Sequence, residues 1–119
     1  MSCDKITING VEYEKVRNNA KRDGMEFCIV RCKDAGVHCG YVKDVDRDTN
    51  TVDLVGSRRM WRWHGRTLSG VALEGVDDPS KCKFGDVLPK ILLHGWCEII
   101  PCTDDAQESL YGVTVWVND

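Results

Sequence analysis

The sequence predicts a mainly β domain with one or two short helices, an α+β fold built as a small curled antiparallel sheet or a partial barrel. Short runs of β-branched and aromatic residues alternate with turn signals along most of the chain. Helix signals replace this pattern only over residues 67–75 and in a short turn after Thr103. The longest purely aliphatic run is Ile91–Leu93, which is too short to span a membrane.

The length of 119 residues predicts one main domain with a small N-terminal appendage. We expect residues 1–25 to form a hairpin-like appendage and connector, and residues 26–119 to form a single compact β-rich domain. Apolar residues alternate over residues 5–16, where Asn9-Gly10 is a strong two-residue turn signal. Residues 17–25 are mostly polar, which indicates a connector.

The first half of the main domain is predicted to be an antiparallel meander, because three apolar stretches follow one another with short polar turns between them. Strands are expected at residues 27–32, 37–45 and 51–63, with turns at 33–36 and 47–50. The glycine in Gly56-Ser57 marks a place where the third strand is expected to break.

The second half mixes helix and strand signals. Residues 67–75 are expected to be helical, with Thr67 or Ser69 capping the start and Gly75 at the end. Thr103 is expected to cap a second short helix, whose positive end Asp104 and Asp105 favour. Strands are expected at residues 87–93, 96–100 and 113–117, the first of them an edge or irregular strand because it contains Pro89.

Seven cysteines, an odd number, occur without a secretory signal at the N-terminus. This combination predicts free thiols in a reducing cytoplasm rather than disulfides. Cys28 and Cys32 would share one face of a strand, which fits either core residues or half of a zinc site. The chain has no C-x-x-C pair, so core packing is the preferred reading and no metal is predicted.

Positive charge is concentrated in residues 58–66 although the whole chain has a net charge of -3. The segment holds four of the 16 basic residues and no acid, so the remainder carries 12 basic against 19 acidic residues. Long nucleic acid needs basic charge spread over many phosphates, and this distribution excludes it as the expected partner. A compact anion with one to three phosphates suits a single short segment better.

On an extended strand, Arg59, Trp61 and Trp63 would point to one side and Arg58, Met60 and Arg62 to the other. Indole rings stack on bases and guanidinium groups bind phosphate, so the segment predicts a nucleotide site. The candidate ligand-binding residues are Arg58, Arg59, Trp61, Trp63, Thr67, Ser69, Gly36 and His38. The alternatives are core packing for the tryptophans, solvated or structural roles for the arginines, and helix capping for Thr67 and Ser69.

Catalysis has little support in the sequence. No G-x-S-x-G motif, phosphate loop or dinucleotide fingerprint is present, and no cofactor is implied. Asp77-Asp78 and Asp104-Asp105 are interpreted as turn and helix-start residues rather than general acids. We therefore assign no catalytic residue, and hydrolysis of a small nucleotide is kept as a minority alternative.

The order of several short motifs resembles a widespread family of small bacteriophage proteins related to the anti-CBASS proteins that act as nucleotide sponges. The matching residues are Arg58–Trp63, Gly65, Leu68-Ser69, Ala72, Glu74-Gly75, Lys81–Phe84, Glu98–Thr103 and Val113–Trp116, with Ala35–Val37 and Gly40 upstream. The resemblance covers residues 27–117. Arg62 and Arg66 depart from the pattern, which bears on ligand preference if those positions line the site.

The resemblance implies a protein of the host bacterial cytoplasm that binds a cyclic oligonucleotide immune signal, such as a cyclic dinucleotide, without cleaving it. It also implies a homo-oligomer, which agrees with the need of so small a chain to share a deep pocket. Membranes and long nucleic acid are not expected partners. The alternative is a phage-encoded protein-protein interaction module that uses the Trp/Arg-rich face, since those residue types are enriched in binding hot spots.

Overall fold

The structure is a computed structural model that describes residues 5–8, 11–14 and 18–117. These residues form eight strands, two α-helices and one short 3₁₀ helix. The strands are β1 (Lys5–Ile8), β2 (Val11–Glu14), β3 (Lys21–Arg22), β4 (Met25–Cys32), β5 (Val37–Asp46), β6 (Thr51–Arg62), β7 (Lys83–His94) and β8 (Trp96–Pro101). The helices are α1 (Leu68–Glu74), α2 (Asp104–Gly112) and the 3₁₀ turn Pro79–Lys81.

A six-stranded antiparallel sheet forms most of the molecule, and β1 and β2 pair as a separate two-stranded sheet. Five of the strands follow the order β3-β4-β5-β6-β7. The sixth, β8, pairs with β4 along the edge that faces away from β5. The consecutive strands β4, β5 and β6 form the meander expected from the sequence. Long antiparallel strands joined by tight turns explain why this half was predictable.

The strands β7 and β8 lie at the two opposite ends of the sheet, yet only Gly95 separates them in the chain. The sheet is therefore strongly curled, because its two ends have to come together at Gly95. Gly95 has a φ of 74° and bonds the two neighbouring turns, accepting from the Lys33 N–H and donating to the Asn50 carbonyl. The sheet is not closed, so the predicted α+β fold with a small curled sheet is confirmed.

The curl gives the sheet two different faces. On the helix-covered face, α1 and α2 pack on β4, β5 and β6 around Phe27, Ile29, Tyr41 and Met60. On the inner face, a second cluster packs without a helix and is buried by the curl itself. Its fully packed members are Val30, Cys32, Val52, Leu54 and Leu93.

Capping side chains fix the two helices as the sequence predicted. Thr67 accepts a hydrogen bond from the Gly70 N–H at the start of α1, and Gly75 ends that helix with a φ of 82°. Thr103 accepts from the Ala106 N–H at the start of α2 and donates to the Leu73 carbonyl near the end of α1. One threonine therefore both starts α2 and ties it to α1.

The structure corrects the predicted strand at residues 113–117 and the predicted connector at residues 17–25, and it does not describe the predicted turn at Asn9-Gly10. Residues 113–117 do not form a strand, because only Val115 makes an isolated parallel bridge, to Phe84. The region read as a connector contains β3, which pairs with β4 through a turn at Asp23-Gly24. Ala20 is also buried in the main core. The Asn9-Gly10 turn falls outside the described residues, although β1 and β2 pair on either side of it.

The strand containing Pro89 starts earlier than expected and lies at an edge of the sheet, as Pro89 indicated. The strand reaching Arg62 is continuous rather than broken, with the pairing register shifting near Gly56. Neither α1 nor α2 is long and apolar enough to cross a membrane.

Candidate functional site

Strand β6 presents alternate side chains of the Trp/Arg-rich segment to the two faces of the sheet. Arg58 and Met60 are buried on the helix-covered face, whereas Arg59 and Trp61 are exposed on the inner-face side. Trp61 keeps 53% of its surface exposed. The predicted division of the segment into two sides is thus observed at these four positions.

Arg58 is not a ligand-binding residue in this structure, which corrects the sequence reading. Its side chain is 1% exposed and bonds three backbone carbonyls. Nε donates to the Gly85 carbonyl at 2.9 Å, and Nη1 donates to the carbonyls of Leu110 at 3.0 Å and Val113 at 2.6 Å. The last two carbonyls belong to the C-terminal end of α2, where the helix dipole favours a cation. Arg58 therefore fastens α2 to β7.

An open cavity of about 310 Å³ lies on the inner-face side, next to the apolar cluster that the curl buries. Its lining combines a polar floor, a single indole and an apolar wall. The lining residues are His38, Ser57, Arg59, Trp61, Gly85, Asp86, Leu88 and Ile91. We call this the inner cavity. Such a place, at the open end of a curled sheet, is a common position for ligand sites.

A second open cavity of about 360 Å³ adjoins the inner cavity, and Arg59 and Trp61 line both. Its other walls come from the β4–β5 turn, including Gly36, and from Trp63. We call it the turn cavity. Its lining residues are Asp34, Ala35, Gly36, Val37, Arg59, Met60, Trp61 and Trp63. Five of the eight predicted ligand residues, Gly36, His38, Arg59, Trp61 and Trp63, therefore surround this pair of cavities.

Two glycines make room for the inner cavity. A side chain on Gly85 would come within 3.3 Å of the Trp61 ring, so the indole packs directly on the bare strand. A side chain on Gly40 would come within 3.1 Å of the Ser57 backbone, so β5 and β6 approach closely at the register shift. Ser57 and Trp61 both line the inner cavity.

His38 and Ser57 form the polar floor, and both are 1% exposed. Nε2 of His38 lies 2.8 Å from the Ala35 carbonyl, so the neutral ring donates there and keeps Nδ1 as an acceptor. Burial lowers the pKa of His38, and the charge of Arg59 lowers it further, while the Ala35 hydrogen bond opposes both. His38 pairs directly with Arg59 across β5 and β6. The floor therefore presents a neutral imidazole beside a guanidinium.

The charged lining residues of the two cavities are one cation and two carboxylates, so the lining has no excess of positive charge. Arg59 is shared by both, but Asp86 lines the inner cavity and Asp34 lines the turn cavity. The site thus combines one cation, two carboxylates, a neutral imidazole and an indole. This set can hold a singly charged anionic group at Arg59 and accept hydrogen bonds from a ligand's N–H groups at the carboxylates.

Thr67 and Ser69 do not line either cavity. Thr67 serves as the N-cap of α1, and Ser69 is exposed in the first turn of that helix. Their capping role, the alternative given by the sequence, is what the structure assigns to Thr67. For Trp63 the sequence left core packing and ligand binding open. Trp63 packs partly on the main core and also lines the turn cavity.

Sequence reasoning missed Ser57, Asp86 and Leu88 as lining residues. Ser57 lies where the sequence predicts a break in the strand. Asp86 and Leu88 lie on a strand whose pairing with β6 no sequence pattern predicts. The only available signal was the Gly56-Ser57 dipeptide, because a glycine inside a strand marks a bulge or a close approach of backbones.

The histidine, cysteine and acidic side chains of the described residues are the groups from which a metal site would be built. Among the described residues, no group of three or more His, Cys, Asp or Glu side chains is arranged to hold a metal ion. The six described cysteines are free thiols, and five of them are buried. Burial raises the pKa of Cys28 and of Cys39 to about 12, which keeps them protonated and unreactive.

Comparison with known proteins adds one family. The family described as a domain of unknown function, DUF6948, matches residues 25–110, which is most of the main sheet with both helices. No curated protein and no solved structure matches the chain.

Proposed function

The chain belongs to the DUF6948 family of domains of unknown function, and we propose that it binds and sequesters a small anionic nucleotide without cleaving it. The proposed ligand is a cyclic oligonucleotide immune signal, such as a cyclic dinucleotide. In this proposal the protein is phage-encoded, acts in the host bacterial cytoplasm and counters an anti-phage defence. The ligand class rests on the cavities, and the biological setting rests on the resemblance to phage sponge proteins.

The observation that carries the proposal is the shared position of Arg59 and Trp61 between two adjoining cavities. A half-exposed indole offers a face for stacking a base, which is worth about 1–3 kcal/mol. The neighbouring guanidinium can hold a phosphate through two hydrogen bonds. The inner cavity and the turn cavity share Arg59, an arrangement that suits a ligand with two bases joined through phosphates.

A lining with one cation and two carboxylates favours a phosphodiester over a terminal phosphate. A phosphodiester carries a single negative charge, which Arg59 alone can match. A terminal phosphate or a triphosphate would bring further charge close to Asp86 and Asp34, and like charges repel. A cyclic dinucleotide carries two phosphodiesters, so Arg59 can pair with one of its two negative charges at a time. Each of these phosphates still brings less charge near the two carboxylates than the phosphate chain of a nucleoside triphosphate would.

Sequestration is favoured over cleavage by the state of His38. Its Nε2 hydrogen is already donated to the Ala35 carbonyl, and its pKa is lowered by burial. A buried neutral imidazole with one nitrogen engaged can accept a hydrogen bond from a base edge through Nδ1. That is a binding role, and it agrees with the absence of a catalytic signature in the sequence.

Isothermal titration with cyclic di-AMP, cyclic di-GMP and cyclic GMP–AMP tests the proposal. We expect at least one of them to bind, and Trp61→Ala and Arg59→Gln to weaken that binding about 10-fold or more each. Both side chains are exposed, so folding should be unaffected. Arg47→Gln, in the β5–β6 turn and outside both cavities, removes the same charge and should bind normally. Absence of heat with every cyclic nucleotide would overturn the proposal.

Recovery of the ligand separates a sponge from the minority alternative, a hydrolase. After long incubation with the protein and denaturation, chromatography should return the cyclic nucleotide intact. Linear products that appear with the native protein and disappear with Arg59→Gln would replace sequestration by hydrolysis.

The second candidate function, a protein-protein interaction module, is favoured by exposed apolar area around the same strands. Among the described residues, seven large apolar side chains are exposed, which are Trp61, Val87, Leu88, Leu92, Val115, Trp116 and Val117. Exposed tryptophan beside arginine is typical of binding hot spots. Extended apolar patches also favour self-association, in line with the proposed homo-oligomer.

Native mass spectrometry and pull-down from host lysate distinguish these readings. A sponge is expected as a homo-oligomer that retains a nucleotide and recovers no stoichiometric protein partner. A stoichiometric host protein that is lost on Trp61→Ala, together with no retained nucleotide, would favour the interaction module.

A further inference from the structure

A separate cluster of positive charge lies at the end of β6 and the start of β7, outside the inner and turn cavities. It surrounds a small open cavity of about 240 Å³. The lining residues are Arg62, Ser80, Lys81, Cys82, Lys83 and Trp116. We call it the cationic cradle. As far as the described part of the chain goes, its lining holds three cations and no carboxylate, whereas the lining of the other two cavities holds one cation and two carboxylates.

The strand register places two of these cations opposite each other. Arg62 pairs with Lys83 across β6 and β7. Like charges directly opposite on neighbouring strands destabilise a sheet unless a negative group lies between them. Within the described residues, the ion pairs of the structure do not include Arg62, Lys81 or Lys83.

Asp78, three residues before Lys81 in the chain, bonds Ser80 and not a cation of the cradle lining. Asp78 accepts hydrogen bonds from both the N–H and the hydroxyl of Ser80, and it caps the 3₁₀ turn that ends at Lys81. These bonds, with the neighbouring Lys81 charge, keep the pKa of Asp78 below its usual value. Asp78 therefore orders the turn that carries Lys81 and does not line the cradle.

An aromatic wall completes the cradle. The Lys83 Nζ lies 4.8 Å from the centre of the Trp116 ring. The backbone N–H of Trp116 donates to the Phe84 carbonyl, which fixes this segment on β7. Trp116 also meets Trp61 edge to face, with ring centres 5.8 Å apart. The two tryptophans therefore form a wall between the cradle and the other cavities.

We propose that the cationic cradle is a second anion site, which binds a multiply charged phosphate group such as a diphosphate or triphosphate chain. Three converging cations match two or more negative charges, whereas Arg59 alone matches one. The cradle, at about 240 Å³, is smaller than either of the other two cavities, which suits a compact phosphate chain. The proposal does not depend on nucleotide sequestration in the inner and turn cavities, because it uses different residues.

Titration of the full chain with inorganic tripolyphosphate at low ionic strength tests the cradle. We expect binding that weakens about 10-fold or more in the double variant Lys81→Gln/Lys83→Gln, with a weaker dependence on salt concentration. Lys43→Gln/Lys90→Gln removes the same charge from exposed positions outside the cradle and should bind like the unmodified protein.

A companion titration with ATP identifies the source of the phosphate. Tighter binding of ATP than of tripolyphosphate, lost in Trp116→Leu, assigns the cradle to a nucleotide; the reverse order assigns it to free polyphosphate. Arg59→Gln should leave both titrations unchanged, so failure here is distinguishable from failure of the sequestration proposal. The proposed anion site is overturned if tripolyphosphate does not bind, or if Lys43→Gln/Lys90→Gln loses binding as much as Lys81→Gln/Lys83→Gln does. It is also overturned if hexaglutamate binds more tightly than tripolyphosphate.

Discussion

Arg58 and Arg59 are neighbours in the chain, yet they lie in opposite environments. Arg58 is buried on the helix-covered face, where its guanidinium bonds the backbone of β7 and the end of α2. Arg59 is exposed on the other side, where it lines two open cavities. One arginine, Arg58, therefore supports the fold, and the next arginine in the chain, Arg59, is available to a ligand.

The comparison teaches that strand alternation separates stability from binding in this molecule. Burying a cation is costly unless its donors are satisfied, and three carbonyls satisfy Arg58. Burial lowers the pKa of Arg58, but guanidinium stays charged at any physiological pH. Substitutions on the two faces of β6 should therefore have separable effects, and four experiments can break or sharpen this division.

The largest effect is expected from Arg58→Met. Methionine preserves much of the side chain's length but leaves the carbonyls of Gly85, Leu110 and Val113 without their donor. A buried acceptor left unpaired costs about 1–3 kcal/mol, so we expect a total loss of about 4 kcal/mol. Urea denaturation followed by circular dichroism should show a correspondingly lower free energy of unfolding.

Arg59→Met is the matched control for this experiment. It removes the same group from an exposed position, so the free energy of unfolding should change by less than about 0.5 kcal/mol. Equal destabilisation by the two substitutions would show that the faces of β6 are not divided as described.

The second largest effect is expected from Gly40→Ala. The added methyl group would lie 3.1 Å from the Ser57 backbone, which cannot move without shifting β6. Overpacking of this kind costs about 2 kcal/mol. Gly112→Ala is a suitable control, because a side chain there meets nothing within 4 Å. Similar unfolding midpoints for the two variants would contradict the close approach of β5 and β6.

Local signals in the sequence were sufficient for much of this architecture. Turn residues separate β4, β5 and β6 where predicted, and Thr67, Gly75 and Thr103 cap the helices as predicted. These features depend on neighbours in the chain, so the sequence carries them directly. Strand period also placed Arg59 and Trp61 on the same side.

Features that depend on distant partners were not predictable. The alternation separated Arg58 from Arg59 but could not say that α2 would cover one side and leave the other open. Asp86 joins the inner cavity only because β7 pairs with β6 in a particular register. Lys83 and Arg62 meet for the same reason. Such pairings arise from the curl of the whole sheet, which no local pattern encodes.

A smaller effect is expected from His38 and concerns pH. Because burial lowers its pKa in the folded protein, the unfolded chain binds more protons once the pH falls below about 6.5. The fold should therefore lose stability between about pH 7 and pH 5, as His38 is charged more readily in the unfolded chain. His38→Gln should reduce this loss, measured as the free energy of unfolding across that range.

His94→Gln supplies the control for the pH experiment, since His94 is exposed at the end of β7. Its pH profile should follow that of the unmodified protein. If His38→Gln also leaves the profile unchanged, then His38 does not titrate differently in the folded and unfolded states, and the neutral floor of the inner cavity is refuted.

The smallest effect on stability is expected from Gly85→Ala, which should nevertheless change binding. The added methyl group would lie 3.3 Å from the Trp61 ring, and the half-exposed ring can move by a few tenths of an ångström at little cost. The free energy of unfolding should fall by about 0.5 kcal/mol or less. Affinity for the cyclic nucleotide that binds the unmodified protein should fall about threefold, because stacking depends on ring position. Unchanged affinity would mean that the Trp61 ring is not the stacking surface, which would move the base to Trp63 on the far side of the turn cavity.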